Sequence, residues 1–158
     1  MAVNRQCSSG LQAVASVAAA IRAGSISVGV GAGFESMSAH YGPQALAVGV
    51  SDRILAECAT AADCLIPMGV TSENVAEQYS IDRRTQDAFA LESCARTLRA
   101  QKEGLFASEI VPVNGVSADD AIRSDVTADG LARLKPAFKP DGSTTAGNAS
   151  KVCDGAAA

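Results

Sequence analysis

Residues 3–23 read Val-Asn-Arg-Gln-Cys-Ser-Ser-Gly-Leu-Gln-Ala-Val-Ala-Ser-Val-Ala-Ala-Ala-Ile-Arg-Ala, a single cysteine followed at once by a helix-forming run. Alanine is the best helix former, and Gly24 stands where a C-terminal stop belongs, so a helix is predicted over 8–23. Leu11, Val14, Ala15, Ala18, Ala19 and Ile21 cover most of its circumference. A helix apolar nearly all round is expected to be buried. The next run, 26–34, is Ile-Ser-Val-Gly-Val-Gly-Ala-Gly-Phe and reads as a strand. Its Gly29, Gly31 and Gly33 lie inside that strand with no helix opening after them. They therefore point to close packing of another backbone and not to a dinucleotide loop.

The rest of the composition frames this segment. The chain has 158 residues, 47% hydrophobic and 19% charged, which is globular and excludes a disordered chain. Such a length predicts one domain of ordinary size. The net charge is −4, so no basic footprint for nucleic acid or an acidic membrane is present. The most apolar stretch, Leu11 to Ile21, is broken by Gln12 and Ser16 and stops at Arg22. It falls short of the ~18 residues a span needs, and no membrane association is expected. No secretory leader is read at the start, which favours an intracellular compartment. Five irregularly spaced cysteines and the single His40 give no metal-ligand pattern, so no metal is expected. Of the 13 basic and 17 acidic side chains, only Arg5, Arg22 and Glu35 fall in residues 1–50. So charge-poor a stretch is expected to be covered by other protein.

Residues 39–66 read as irregular, with one short helix at 52–62. Thr71 or Ser72 can cap a helix running to Tyr79, with Glu73 in its positive first turn. A longer helix is predicted from Ile81 or Asp82 to Lys102, with Ser80 as N-cap and Gly104 past its end. Ala88, Leu91, Ala95 and Leu98 form its apolar stripe, and Arg83, Arg84, Arg96 and Arg99 are expected to face water. Residues 107–113 read as an edge strand because of Pro112. Residues 114–130 read as loop, 136–148 as a long ordered loop, and 152–158 as the opening of a strand.

The chemistry concentrates at Cys7. It stands where the alanine-rich helix begins, facing the free N–H groups and positive end of that helix. Ser8, Ser9 and Gly10 leave room beside it. Two readings stand level on the residues alone: an activated nucleophile and a buried structural cysteine.

Four colinear segments carry a family resemblance. Val3–Ala15 resembles the active-site segment of thiolases, with Cys7 in the place of the acyl-accepting cysteine. Gly33–Ser38, Gly-Phe-Glu-Ser-Met-Ser, is similar to the stretch that follows the next thiolase strand. Asp63–Ala76 resembles the thiolase loop domain, the peroxisomal 3-ketoacyl-CoA thiolases in particular. Leu134–Phe138, Thr145–Ser150 and Asp154–Ala158 resemble the CoA-binding loop and the strand after it.

The resemblance implies the layered α/β/α thiolase fold, incomplete here, with an inserted, mainly helical loop domain. It divides the chain into 1–38 of the N-terminal domain, 39–146 as loop domain, and 147–158 as the return to the N-terminal domain. It implies thiolytic cleavage of a 3-ketoacyl-CoA by CoA, giving acetyl-CoA and a shortened acyl-CoA, in fatty acid β-oxidation. CoA is a substrate in this scheme and no cofactor is implied. Cys7 would be the nucleophile. Ser150 would lie near the pantetheine, Phe138 against the adenine end, Arg123 near the nucleotide, and Met68 along the acyl or pantetheine channel. The implied assembly is a homodimer or tetramer. The implied compartment is the peroxisome, with mitochondrion and bacterial cytoplasm as rivals. An acetoacetyl-CoA thiolase or related condensing enzyme, and a non-catalytic chain that associates with a full-length thiolase, are the alternative readings. The family's Asn-Glu-Ala-Phe segment and Gly-His-Pro histidine do not occur in the 158 residues, His40 matches neither, and the one Cys-x-Gly triplet, Cys153-Asp154-Gly155, overlaps the segment matched to the strand after the CoA-binding loop. The chain therefore reads as the interior of a thiolase and is expected not to catalyse thiolysis alone.

Overall fold

The computed structural model describes residues 1–42 and 49–158; the part of the irregular stretch read at 39–66 that falls on 43–48 lies outside the described residues. The chain forms two compact units, one of Met1–Leu46 with Val152–Ala158 and one of Ala47–Lys151.

In the first unit a 3₁₀ turn, Gln6–Ser8, leads into helix α1, Ser9–Arg22. Gly24 ends the helix in the left-handed region at φ +71°, where a residue without Cβ carries no steric penalty. Its N–H donates to the Ile21 carbonyl (3.0 Å), and that of Ser25 to the Ala20 carbonyl (3.0 Å). The chain then runs back along α1. A Cβ on Gly29 would lie 2.7 Å from a Val17 methyl, one on Gly31 2.9 Å from the Val14 backbone, and one on Gly33 3.8 Å from Gly10. Strand β1, Gly33–Ser36, pairs antiparallel with β2, Asp154–Ala157, in the register Gly33↔Ala157 to Ser36↔Asp154. Asp154 also accepts from the Ser38 N–H at 2.8 Å, closing the turn after β1 onto β2.

Two expectations change here. The strand read at 26–34 is confined to β1, because 26–32 finds a helix and no strand beside it; its glycines serve the approach to α1. The helix read as buried contains no buried residue: Leu11 is 76% and Val14 53% exposed. One β-segment touches one side of α1, which leaves its other apolar sides bare.

The second unit holds α2 (Asp52–Glu57), α3 (Ala59–Asp63), α4 (Met68–Gln78), α5 (Arg83–Lys102) and α6 (Ala128–Ala132). The single helix read at 52–62 is broken by extended backbone at Cys58. Helix α4 starts earlier than read, after Pro67 and not at Thr71 or Ser72. Helix α5 is capped by Asp82, whose carboxylate accepts from the Thr85 N–H at 2.7 Å; Ser80 instead takes a left-handed turn at φ +54°. The strand read at 107–113 is a series of turns ending in a two-residue reversal. Val113 and Val116 bridge each other across Asn114 and Gly115, both at positive φ. Residues 136–148 form the ordered loop that was read, without helix or strand.

The second unit's interior is mostly polar. Among the described residues Leu131 is the buried apolar side chain, and it is joined by Glu73, Asp87, Thr144 and Thr145. No helix among the described residues is long and apolar enough to cross a membrane.

Candidate active site

The turn ahead of α1 is wound by its own side chains. Asn4 Oδ1 accepts from the Gln6 N–H (2.9 Å), and Ser9 Oγ accepts from the Arg5 N–H (2.8 Å) while donating to the Gln6 carbonyl (2.7 Å). Arg5 Nη1 donates to Gln12 Oε1 at 2.7 Å, tying the entry to the second turn of α1. These bonds hold Gln6 at φ +52°, a sparsely populated conformation for a residue with a Cβ. Such strain persists where surrounding contacts determine it. It sits one residue before Cys7, whose side chain is exposed. The buried structural reading of Cys7 therefore does not hold in this structure. The bonding roles of Asn4, Arg5, Gln6, Ser9 and Gln12 were not read from the sequence. The signal was available: Asn and Ser hydroxyl or amide oxygens two to four residues from backbone donors favour such local bonds.

The other four candidates, Met68, Arg123, Phe138 and Ser150, belong to the second unit. Met68 opens α4 and, with Val75, Ala76, Ile81 and Gln86, lines an apolar groove of about 350 Å³. Phe138 lies against Gly69, where any Cβ would collide with its ring. The loop aromatic and the first turn of α4 are thereby brought together. Arg123 makes a bidentate pair with Asp125 (3.0 and 2.7 Å), which raises the guanidinium's already high pKa and lowers that of the carboxyl. The Arg123 guanidinium is here satisfied by its own neighbour. Ser150 is exposed at the end of the loop.

What shapes that loop lies outside the sequence reading. Glu73, read as a first-turn charge, is 4% exposed and points into the loop. Its two carboxylate oxygens accept from the Ser143 N–H (3.0 and 2.9 Å), the Thr144 N–H (2.7 Å) and the Ser143 hydroxyl (3.0 Å). Burial pushes the Glu73 carboxyl up, but these four donor contacts outweigh it and hold it below the ordinary value. Arg83, expected to face water, turns inward. Its Nε donates to Asp87 Oδ2 (2.7 Å) and its Nη2 to the carbonyls of Leu131 and Leu134. Asp87 Oδ1 in turn accepts from Asn148 Nδ2 at 2.9 Å. Arg84, Arg96 and Arg99 are exposed as read. Among the described residues no group of three or more His, Cys, Asp or Glu side chains could hold a metal ion.

The thiolase N-terminal domain family model matches residues 1–158. The chain belongs to the thiolase family. It is similar to the human peroxisomal 3-ketoacyl-CoA thiolase, 53% identical over 99% of this chain and 39% of that protein. It is likewise similar to the peroxisomal 3-ketoacyl-CoA thiolase of Yarrowia lipolytica, 48% identical over 100% of this chain and 41% of that protein. Its structure resembles the crystal structure of the dimeric peroxisomal thiolase of Saccharomyces cerevisiae. The TM-score is 0.88 at 44% identity, over 99% of this chain and 41% of that one. The fold is therefore that of the thiolase N-terminal domain, and the chain spans about two fifths of the length of the relatives it matches. Within that thiolase domain Cys7 and its hydrogen-bonded turn open the alanine-rich helix, and α4, α5 and the 136–150 loop stand in the second unit.

Proposed function

We propose that this chain carries the acyl-accepting part of a peroxisomal 3-ketoacyl-CoA thiolase, which cleaves its substrate with free CoA in fatty acid β-oxidation. The observation that supports this best is the exposed Cys7, held on a side-chain-wound turn at the head of α1 in a chain matched over residues 1–158 by the thiolase N-terminal domain. In the reaction the Cys7 thiolate adds to the 3-keto carbon. The bond between carbons 2 and 3 then breaks, its electron pair leaves on the acetyl-CoA carbon, and that carbon takes up a proton. The shortened acyl group stays on Cys7 as a thioester. The sulfur of a second CoA attacks that thioester, releasing acyl-CoA and the cysteine. The Cys7 N–H, near the positive end of α1, is suited to donate to the oxygen that becomes negative in acyl transfer.

The family's Gly-His-Pro histidine and Asn-Glu-Ala-Phe segment are absent from these 158 residues, so this chain supplies the nucleophile and a CoA-binding loop. Ser150 is assigned to the pantetheine, Phe138 to the adenine, Met68 to the channel and Arg123 to the nucleotide phosphates. The Arg123 assignment requires its pair with Asp125 to open, since both donors are engaged. CoA enters as substrate, and no cofactor or metal takes part. The working assembly is a homodimer, a reading supported by the dimeric yeast relative, and the compartment is the peroxisome.

The half-reaction tests this without the missing proton-transfer groups. Incubation of the chain with acetyl-CoA should add one acetyl group to Cys7, located by peptide mass and reversed by added CoA. Cys7→Ala should abolish the label. Acetylation spread evenly over Cys58 and Cys64, which are also exposed, would overturn the assignment.

A further inference from the structure

The loop at 137–149 has no helix or strand to give it shape. Its internal backbone bonds are few: the Ala137 N–H to the Thr144 carbonyl, Gly142 to Lys139, and Ala149 to Thr145, each 3.0 or 3.1 Å. Several further donors at its centre are taken by two carboxylates from two different helices. Glu73 of α4 receives both successive amides of Ser143 and Thr144. Asp87 of α5, itself held by Arg83, receives Asn148, whose own Nδ2 also donates to the Ser143 carbonyl and whose Oδ1 accepts from the Thr145 N–H. Gln86 completes the link by donating from Nε2 to the Ser143 hydroxyl at 2.8 Å. A Cβ on Gly142 would run into Glu73, and one on Gly147 into Leu131 and Leu134, so the loop fits its helices at backbone distance.

A buried carboxylate is a costly way to fasten a loop. Apolar packing of the same volume is often neutral or stabilising by comparison. What directional charge-assisted bonds add is a single shape. The segment they shape begins beside Phe138 and ends beside Ser150.

We propose that Glu73 is a positioning residue for coenzyme A: with Asp87 it fixes residues 137–149 in the shape that presents Phe138 and Ser150 to the ligand together. This rests on the assignment of those two residues to CoA made above. A loop already ordered does not lose that freedom on binding, and the ligand is held correspondingly tighter.

The test uses the 158-residue chain and CoA itself. Hydrogen exchange reads the order of 137–149, and calorimetry reads CoA affinity, for wild type, Glu73→Gln, Ser143→Ala and Ser150→Ala. Glutamine keeps the volume of Glu73 but cannot accept with both oxygens. The expected result is fast exchange at Ser143 and Thr144 in Glu73→Gln, α5 unchanged, and CoA binding weakened about tenfold. Ser143→Ala removes only the hydroxyl bonds and should weaken binding to a smaller degree in the same direction; it decides the matter if Glu73→Gln does not fold. Leu98→Ala lies three turns of α5 beyond Asp87 and should lower the unfolding temperature without weakening CoA binding, which separates positioning from general stability. If Ser150→Ala weakens CoA binding while Glu73→Gln and Ser143→Ala loosen the loop at unchanged affinity, the positioning role is overturned and the CoA assignment stands. If Ser150→Ala leaves CoA binding intact, the assignment falls and the positioning role with it.

Discussion

The two units are held together by different forces. The first is made of sequence-local elements: a turn wound by its own side chains, an alanine-rich helix with a glycine stop, and a glycine-bearing segment folded back against that helix. None of the residues of α1 is buried. The second unit has helices whose positions depend on bonds between residues far apart in the chain: Glu73 with Ser143 and Thr144, Ser72 with Thr144, Asp87 with Asn148, Arg83 with Leu131 and Leu134. The lesson is that the proposed nucleophile and the proposed CoA loop are supported differently. Local hydrogen bonds and helix propensity preserve the turn at Cys7 even with the faces of α1 open. The loop bearing Phe138 and Ser150 exists only while a tertiary polar network is intact.

The contrast can be broken most severely at Glu73. Glu73→Ala leaves the buried Thr144 amide and the half-buried Ser143 amide without their partner, and each lost charge-assisted bond costs about 1.5–3 kcal/mol. We expect the second unit to unfold at markedly lower urea while the exchange of α1 amides in the first unit is unaffected. Unfolding of both units together would mean that they are not independently supported.

Acid should act on the same point. The folded carboxyl of Glu73 lies below its ordinary value of 4.5, so its contribution is complete above that value and disappears as the pH falls through the folded one. Urea midpoints of the second unit should therefore begin to drop as the pH falls below 4.5 and go on dropping as it passes through the folded value. The same series in Glu73→Gln should lose this part of the dependence. Asp154 in the first unit is also held low, by the Ser38 amide, but is exposed, and its titration should move the β1–β2 pair far less.

Gly31→Ala probes the first unit in the opposite sense. The added methyl would sit 2.9 Å from the Val14 N and Cα, backbone atoms that cannot step aside. Overpacking of this kind costs typically 1–3 kcal/mol. Circular dichroism should show a lower melting point for α1, with the second unit unchanged. Gly10→Ala, where nothing lies within 4 Å, serves as the control and should leave α1 intact or slightly firmer. The smallest effect is expected at Arg96→Ala. Its pair with Glu92 is a solvent-exposed i,i+4 contact, 2.7 Å long, and exposed pairs of this kind contribute little and are screened by salt. No change in the urea midpoint of either unit should be resolved at physiological salt.

The sequence carried what depends on neighbours along the chain. Helix α1 and its Gly24 stop, the body of α5 with Gly104 after it, the strand at 154–157 and the ordered loop at 136–148 were legible, because propensity, periodicity and caps act within a few residues. The motif around Cys7 was legible too, and so was the family. What tertiary structure alone decided was the partner of each polar side chain. Glu73 looks like any acidic residue in a helix's first turn and Arg83 like any surface arginine; the groups that make one an anchor and the other a brace come some seventy and fifty residues later. The strand read at 26–34 shrank to β1 for the same reason: glycine in a β-rich run signals close approach, but whether a strand or a helix approaches is fixed only when the chain folds back. Sequence reports the local bias of each residue; which distant groups compensate a buried charge is decided by packing, because that energy exists only once both partners have left water.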